Sequence, residues 1–146
     1  MNSIVKSKVF EREAARLMSK YTSSLWKRVP NSGGLAAQKE KDNTFQGDLY
    51  SHDHPNLIVE CKHWKELTIN DLYSRNSLFW KAAKQARMEA QGKDWLLLIK
   101  TNNRGVLAAY NTDRTLELEG IITRLPLLPD DLYAGELTIS KVGKVK

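Results

Sequence analysis

Apolar residues recur near the start of the chain at Phe10, Ala14, Leu17 and Tyr21, spaced by four, three and four. That period lines one face of a helix, so Val9 to Tyr21 is predicted helical with Ser7 as a candidate cap. Glu11 and Glu13 fall on opposite shoulders of the stripe, and Arg12 and Arg16 point away from it. Ser24 to Val29 reads as a short strand stopped by Pro30 and the turn formers Asn31, Ser32, Gly33 and Gly34. Residues 35–46 are polar and basic with no clear period, which predicts a long surface loop. From Gly47 the pattern becomes that of a hairpin: Gly47 to Ser51, a turn through His52, Asp53, His54, Pro55 and Asn56, then Leu57 to His63. Thr68 and Asn70 are cap candidates for a short turn. Asn76 or Ser77 caps a helix running to about Gln91 and closed by Gly92. A second hairpin joins Trp95–Lys100 to Val106–Tyr110. Beyond it, Leu116–Leu118 and Leu137–Ile139 are candidate strands, and Leu125 to Leu132 is expected to be irregular. Helix, strand, hairpin, helix, hairpin is a mixed α/β order, and 146 residues suit one domain.

Composition narrows the class. The chain is 41% hydrophobic and 27% charged, with a mean hydropathy of −0.50, values of an ordinary globular protein. Its longest apolar stretches, Trp95–Ile99 and Leu125–Leu128, are far short of a membrane span, and no signal peptide shows. A single cysteine, Cys61, forms no internal disulfide and points to a reducing compartment. The net charge of +6 is unevenly placed: residues 1–41 hold nine Lys or Arg against three acids, while the remainder is balanced. A basic front third suggests a polyanionic partner, because neutralising phosphates releases their counterions.

The first hairpin carries the candidate chemistry. A turn centred on His54 makes cross-strand positions sum to 108, so Asp48 stands opposite Glu60. Alternation puts Asp48, Tyr50, Ile58, Glu60 and Lys62 on one face, and Leu49, Leu57, Val59 and Cys61 on the other, against the core. Opposed carboxylates repel at a Cβ separation of ~5 Å, a penalty that a hard divalent cation such as Mg²⁺ or Mn²⁺ reverses. Lys62, two residues beyond Glu60, adds a positive charge able to stabilise a metal-bound hydroxide or a scissile phosphate. The competing reading is a solvent-facing strand pair with Lys62 in a salt bridge to Asp48 or Glu60.

Asp48 followed by Glu60-Cys61-Lys62 resembles the PD-(D/E)XK nuclease motif, with Gly47 in place of its proline. Phe10-Glu11-Arg12-Glu13-Ala14 resembles the helix element of archaeal-type Holliday junction resolvases within that superfamily, and Trp26 to Gly34 resembles their arginine-ending strand and Ser-Gly loop. The resemblance implies a single-domain restriction-endonuclease-like α/β fold, a central mixed sheet flanked by helices. The catalytic core would span about residues 4–110, with 111–146 a C-terminal extension. It also implies roles: Glu11 as the helix acid, Asp48 and Glu60 as paired metal ligands joined by the Cys61 carbonyl, and Lys62 as the catalytic lysine. Arg12 and Arg28 would hold the phosphate backbone and Ser32 would lie near the scissile strand. Lys8, Lys39 and Lys41, within the basic third, are further expected DNA contacts.

Other residues read more plainly. Glu13 is the alternative helix acid. His52 and His54 are expected as solvated turn residues, and His63 as turned away from the charged face. Gln85 is either a helix-surface polar group or a residue orienting a metal-bound water. At least one of Phe79 and Trp80 belongs to the core, and Trp26 and Trp64 are expected to pack. The function so implied is a Mg²⁺-dependent endonuclease, with Mn²⁺ as substitute, making paired nicks in four-way junctions as a homodimer, with no membrane role. Its expected location is the cytoplasm, or the host cytoplasm for a viral source. The alternatives are a related nuclease acting on flap, nicked or linear duplex DNA, and a noncatalytic architectural DNA-binding protein.

Overall fold

The computed structural model describes residues 3–30, 47–102, 104–110, 122–124 and 133–137. Its elements in chain order are α1 (Ser3–Thr22), β1 (Lys27–Arg28), β2 (Leu49–Tyr50), β3 (Leu57–Trp64), α2 (Ile69–Tyr73) and α3 (Leu78–Ala90). They continue with β4 (Asp94–Thr101), β5 (Val106–Tyr110), β6 (Ile122–Arg124) and β7 (Tyr133–Leu137). The strands form one seven-stranded sheet in the order β1-β2-β3-β4-β5-β7-β6. β3 and β4 are parallel, and every other neighbouring pair is antiparallel. The parallel pair requires a crossover, which α2 and α3 supply. This is the α/β architecture with a mixed sheet and flanking helices that the motif implied.

Alternation along β3, β4 and β5 creates a core on each face of the sheet. On one side Leu49, Val59, Cys61, Leu96, Leu98, Val106, Ala108 and Tyr110 pack against Phe10, Ala14, Leu17, Met18 and Tyr21 of α1. On the other, Ile58, Trp95, Leu97, Ile99 and Ala109 pack against Leu72 of α2 and against α3. The charged face of the first hairpin is thus roofed by a helix for part of its length. It is not an open solvent face.

Local chemistry sets the helix ends. Thr68 caps α2, its hydroxyl accepting from the Asp71 N–H while the Asp71 carboxylate accepts from the Thr68 N–H. Ser77 caps α3 by accepting from the Trp80 N–H, and Gln91 ends that helix in the left-handed conformation ahead of Gly92. α1 begins at Ser3, so Ser7 lies inside the helix and is not its cap. The sequence period started late because the first two turns carry Ile4, Val5 and Val9 exposed. They continue a helix that is anchored further along. β7 ends where a strand at Leu137–Ile139 was expected to begin, and β6 was not anticipated. Residues 116–118, 125–132 and 138–139 lie outside the described residues. Among the described residues no helix is long and apolar enough to cross a membrane.

Candidate active site

The site is built where β2 meets β3. Leu49 pairs with Val59, the sum of 108 expected from the hairpin. Gly47 makes the approach possible: at φ +78° it occupies a region closed to proline, and a Cβ there would lie 2.7 Å from the Val59 carbonyl oxygen. That geometry explains why glycine stands where the superfamily motif has proline. The Asp48 N–H donates to the Val59 carbonyl at 2.8 Å, and the Asp48 carbonyl accepts from the Val29 N–H at 2.9 Å. Clamped between two strands, Asp48 turns its carboxylate to the next residue pair, where Oδ2 accepts from the Cys61 N–H at 2.8 Å.

Glu60 sits in the middle of β3, only 6% exposed. It shares hydrogen bonds with Asp48, the residue just before β2, and with Glu89 from α3. Burial holds its pKa well above the carboxylate range, reinforced by the bond to Glu89 and by the charges of Asp48 and Glu89. Each carboxyl–carboxyl bond needs a proton between the partners, so this buried row favours protons or a cation. Lys62 follows on the same face, half-exposed, and among the described residues it has no hydrogen bond or ion pair. The expected bland alternative, a salt bridge from Lys62 to Asp48 or Glu60, is not formed.

Glu11 approaches from α1, on the opposite side of the sheet. It is buried, and its Oε1 accepts from the Arg28 Nε at 3.3 Å. Its charge still reaches Cys61. Burial pushes that thiol well up, Asp48, Glu11 and Glu60 add to the shift, and Lys62 opposes it. Glu13 is committed elsewhere, with Lys100 Nζ 2.8 Å from its Oε2. Between the two helix acids, the one beside the site is Glu11. Lys8 and Arg12 are exposed, whereas Arg28 lies half-buried against Glu11. Ser32, Lys39 and Lys41 are outside the described residues.

Among the described residues, no group of three or more His, Cys, Asp or Glu side chains is arranged to hold a metal ion. The structure brings Asp48 and Glu60 together, with Cys61 between Glu60 and Lys62 on β3 and Glu11 close enough for its charge to act on the Cys61 side chain. A pair suffices for Mg²⁺, which keeps several waters and takes one or two carboxylates beside substrate phosphate. Asp48 and Glu60 fit such an ion: both are hard oxygen donors, already in contact, and the buried one lacks a cationic partner.

Several bystanders are also placed. His54 is packed, not solvated: its ring stacks on Trp26 at a centroid distance of 5.6 Å, and its Nε2 lies 3.0 Å from the Ser24 hydroxyl. His63 faces the α1 side, with Nε2 3.1 Å from Asn102 Oδ1. Phe79 and Trp26 are buried. The Trp80 indole N–H donates to the Leu72 carbonyl at 2.7 Å. Gln85 is exposed and its Nε2 donates to Glu89 Oε1 at 3.0 Å. Glu89 itself escaped the sequence reading, although Gln85 one turn earlier marks the same helix face.

A family model described as "Phage putative PDDEXK endonuclease" matches residues 2–119, a span that holds Glu11, Asp48, Glu60, Lys62 and Glu89. The chain belongs to this family. As a member of a PDDEXK endonuclease family it falls in the PD-(D/E)XK superfamily, whose nucleases generally use divalent metals. No curated protein and no solved structure matches the chain. The match carries the superfamily and the nuclease class, a coarser assignment than the archaeal-type junction resolvases that the motifs resemble.

Proposed function

We propose that this PDDEXK-family protein is a divalent-metal-dependent endonuclease that resolves four-way DNA junctions by paired nicks, acting as a homodimer. The observation that carries the reading is the Asp48–Glu60 pair with Lys62 beside it on one strand face. When bound, Mg²⁺ or Mn²⁺ would supply Lewis-acid stabilisation of the phosphate and lower the pKa of a coordinated water. Asp48 and Glu60 would hold that ion, and the Cys61 N–H, donating to Asp48 Oδ2, fixes the carboxylate and leaves its other oxygen available. Lys62, unengaged, is placed to neutralise charge developing on the scissile phosphate. Glu11 lies behind the site with Arg28, and Arg12 and Lys8 on the exposed face of α1 offer phosphate contacts without base readout.

Junction specificity and the dimer rest on the residues resembling resolvases and on symmetry. A four-way junction has a two-fold axis, and paired nicks need two sites related by one. The test is cleavage, with Mg²⁺ or Mn²⁺, of a mobile four-way junction against flap, nicked and linear duplexes of the same arms, with Asp48→Asn as control. Preferential, symmetric nicking of the junction is expected. Equal rates on linear duplex would assign a general nuclease, and junction binding without cutting in either metal would assign an architectural protein.

A further inference from the structure

α3 meets the sheet through a face of small residues, Ala82, Ala83, Ala86 and Ala90, with Phe79 at its start. Side chains this short let the helix backbone come close to β3, so a glutamate beside Ala90 spans the remaining gap to Glu60. Glu89 does so, sharing a hydrogen bond with the Glu60 carboxyl group from above the sheet, while Asp48 meets Glu60 from the neighbouring strand. Gln85, four residues earlier and so on the same helix face, donates to Glu89 from the outer side at 3.0 Å. The four side chains form a continuous row, Gln85, Glu89, Glu60 and Asp48, running from the helix surface to the edge of β2. A carboxyl group placed against a buried carboxyl group is an expensive way to pack a helix on a sheet, and alanine serves at the neighbouring contacts. Local violations of packing logic of this kind gather at functional sites.

We propose that Glu89 is a positioning residue for Glu60: braced by Gln85, it fixes the Glu60 side chain toward Asp48, so that the cation-binding pair is assembled before the cation arrives. The inference rests on the reading of Asp48 and Glu60 as that pair. Glu89 reaches Glu60 across the helix–sheet contact and acts through it. Outer residues that orient metal ligands typically govern affinity by 10–100-fold, so the effect belongs in cation binding more than in the chemical step.

The experiment is calorimetric titration of the full chain with Mn²⁺, comparing wild type, Glu89→Ala, Glu89→Gln, Gln85→Ala and Asp48→Asn, with folding checked by circular dichroism. Glu89→Ala should weaken Mn²⁺ binding by about tenfold or more. Glu89→Gln should largely restore it, since an amide of the same length can donate to the Glu60 carboxylate, and Gln85→Ala, an exposed change, should fall between. In cleavage assays the Mn²⁺ concentration for half-maximal rate should rise with Glu89→Ala, while the rate at saturating Mn²⁺ stays within a few-fold of wild type. Unchanged Mn²⁺ affinity in Glu89→Ala, with Asp48→Asn clearly impaired, would overturn the positioning role alone. Equal losses in Glu89→Gln and Glu89→Ala would make Glu89 a direct ligand and also overturn it. If wild type and Asp48→Asn are indistinguishable, the cation-pair reading itself fails and the role of Glu89 fails with it.

Discussion

The two faces of the sheet treat their carboxylates in opposite ways. On the α1 side Glu11 is paired with Arg28 and Glu13 with Lys100, and the core between them is apolar. On the α3 side Glu60 is buried between two other acids, and Lys62, the cation two residues away, engages none of them. Both arrangements sit within one small sheet and share β3, so solvent or chain length does not account for the contrast. Charges on the α1 side are matched in the manner of a stable scaffold. On the α3 side a buried acid is packed against two others, an arrangement that suits the cation pair proposed for Asp48 and Glu60.

The largest expected effect comes from removing a member of the mismatched set. Asp48→Asn or Lys62→Ala should lower Mg²⁺-dependent nicking by roughly 10³-fold, about 4 kcal/mol in activation free energy, while junction affinity in a gel-shift assay changes little. Retained nicking in either variant would transfer the chemistry away from this face.

Glu60→Gln should separate stability from activity. Burial and the neighbouring acids raise the folded-state pKa of Glu60 above its ordinary value of 4.5. Its favourable contribution is therefore complete below that pH and is lost as pH rises toward the folded-state value, because the unfolded chain releases the proton first. The metal-free wild type should lose up to roughly 3 kcal/mol between pH 4.5 and 7 from this group. Glu60→Gln should flatten that slope and raise Tm near neutral pH while abolishing cutting, and Mn²⁺ should restore Tm in wild type but not in the variant. Thermal melts at several pH values decide it, and a wild type whose stability climbs from pH 5 to 8 in the absence of metal contradicts the account.

How much of this contrast was readable without coordinates follows from the range of each interaction. The hairpin register was legible because alternation and the turn around His54 fix it locally, and the Leu49–Val59 pair sits in the expected register. The ends of α3 were legible because Ser77, Gln91 and Gly92 act within a turn. The candidate residues Asp48, Glu60 and Lys62 lie close together on that hairpin, so their juxtaposition was legible too. The burial of Glu60 was not, since it depends on an alanine-rich helix beginning eighteen residues later in the chain. The same limit hid Glu89, and it hid the packing of His54 on Trp26, which joins a turn to a segment 28 positions earlier. The choice between Glu11 and Glu13 required knowing that Lys100 lies beside one and Arg28 beside the other.

Intermediate effects are expected on the matched side. Arg28→Ala removes the Arg28 Nε–Glu11 Oε1 contact from beside a buried carboxylate, which should destabilise the fold by about 1–2 kcal/mol in denaturant melts. If Arg28 also holds phosphate, junction affinity should fall as well. Arg12→Ala, exposed on the same helix, should weaken junction binding with little change in stability and should reduce its salt dependence. A loss of stability as large in Arg12→Ala as in Arg28→Ala would mean that the ion pair with Glu11 is not what distinguishes them.

The smallest effect should come from Glu13→Ala. Its partnership with Lys100 is about one-third exposed on both side chains, and ion pairs so placed contribute less than ~1 kcal/mol after solvent screening and side-chain ordering. Glu13 lies on the same helix as Glu11 and two residues away, so the pair of variants Glu11→Ala and Glu13→Ala isolates position from helix propensity and charge. Nicking should survive Glu13→Ala almost unchanged and drop in Glu11→Ala, the acid that the resolvase resemblance assigns to the site and that lies beside Arg28. Were the ranking reversed, Glu13 and not Glu11 would be the helix acid that serves the site, and its pairing with Lys100 would not mark a residue of purely structural use.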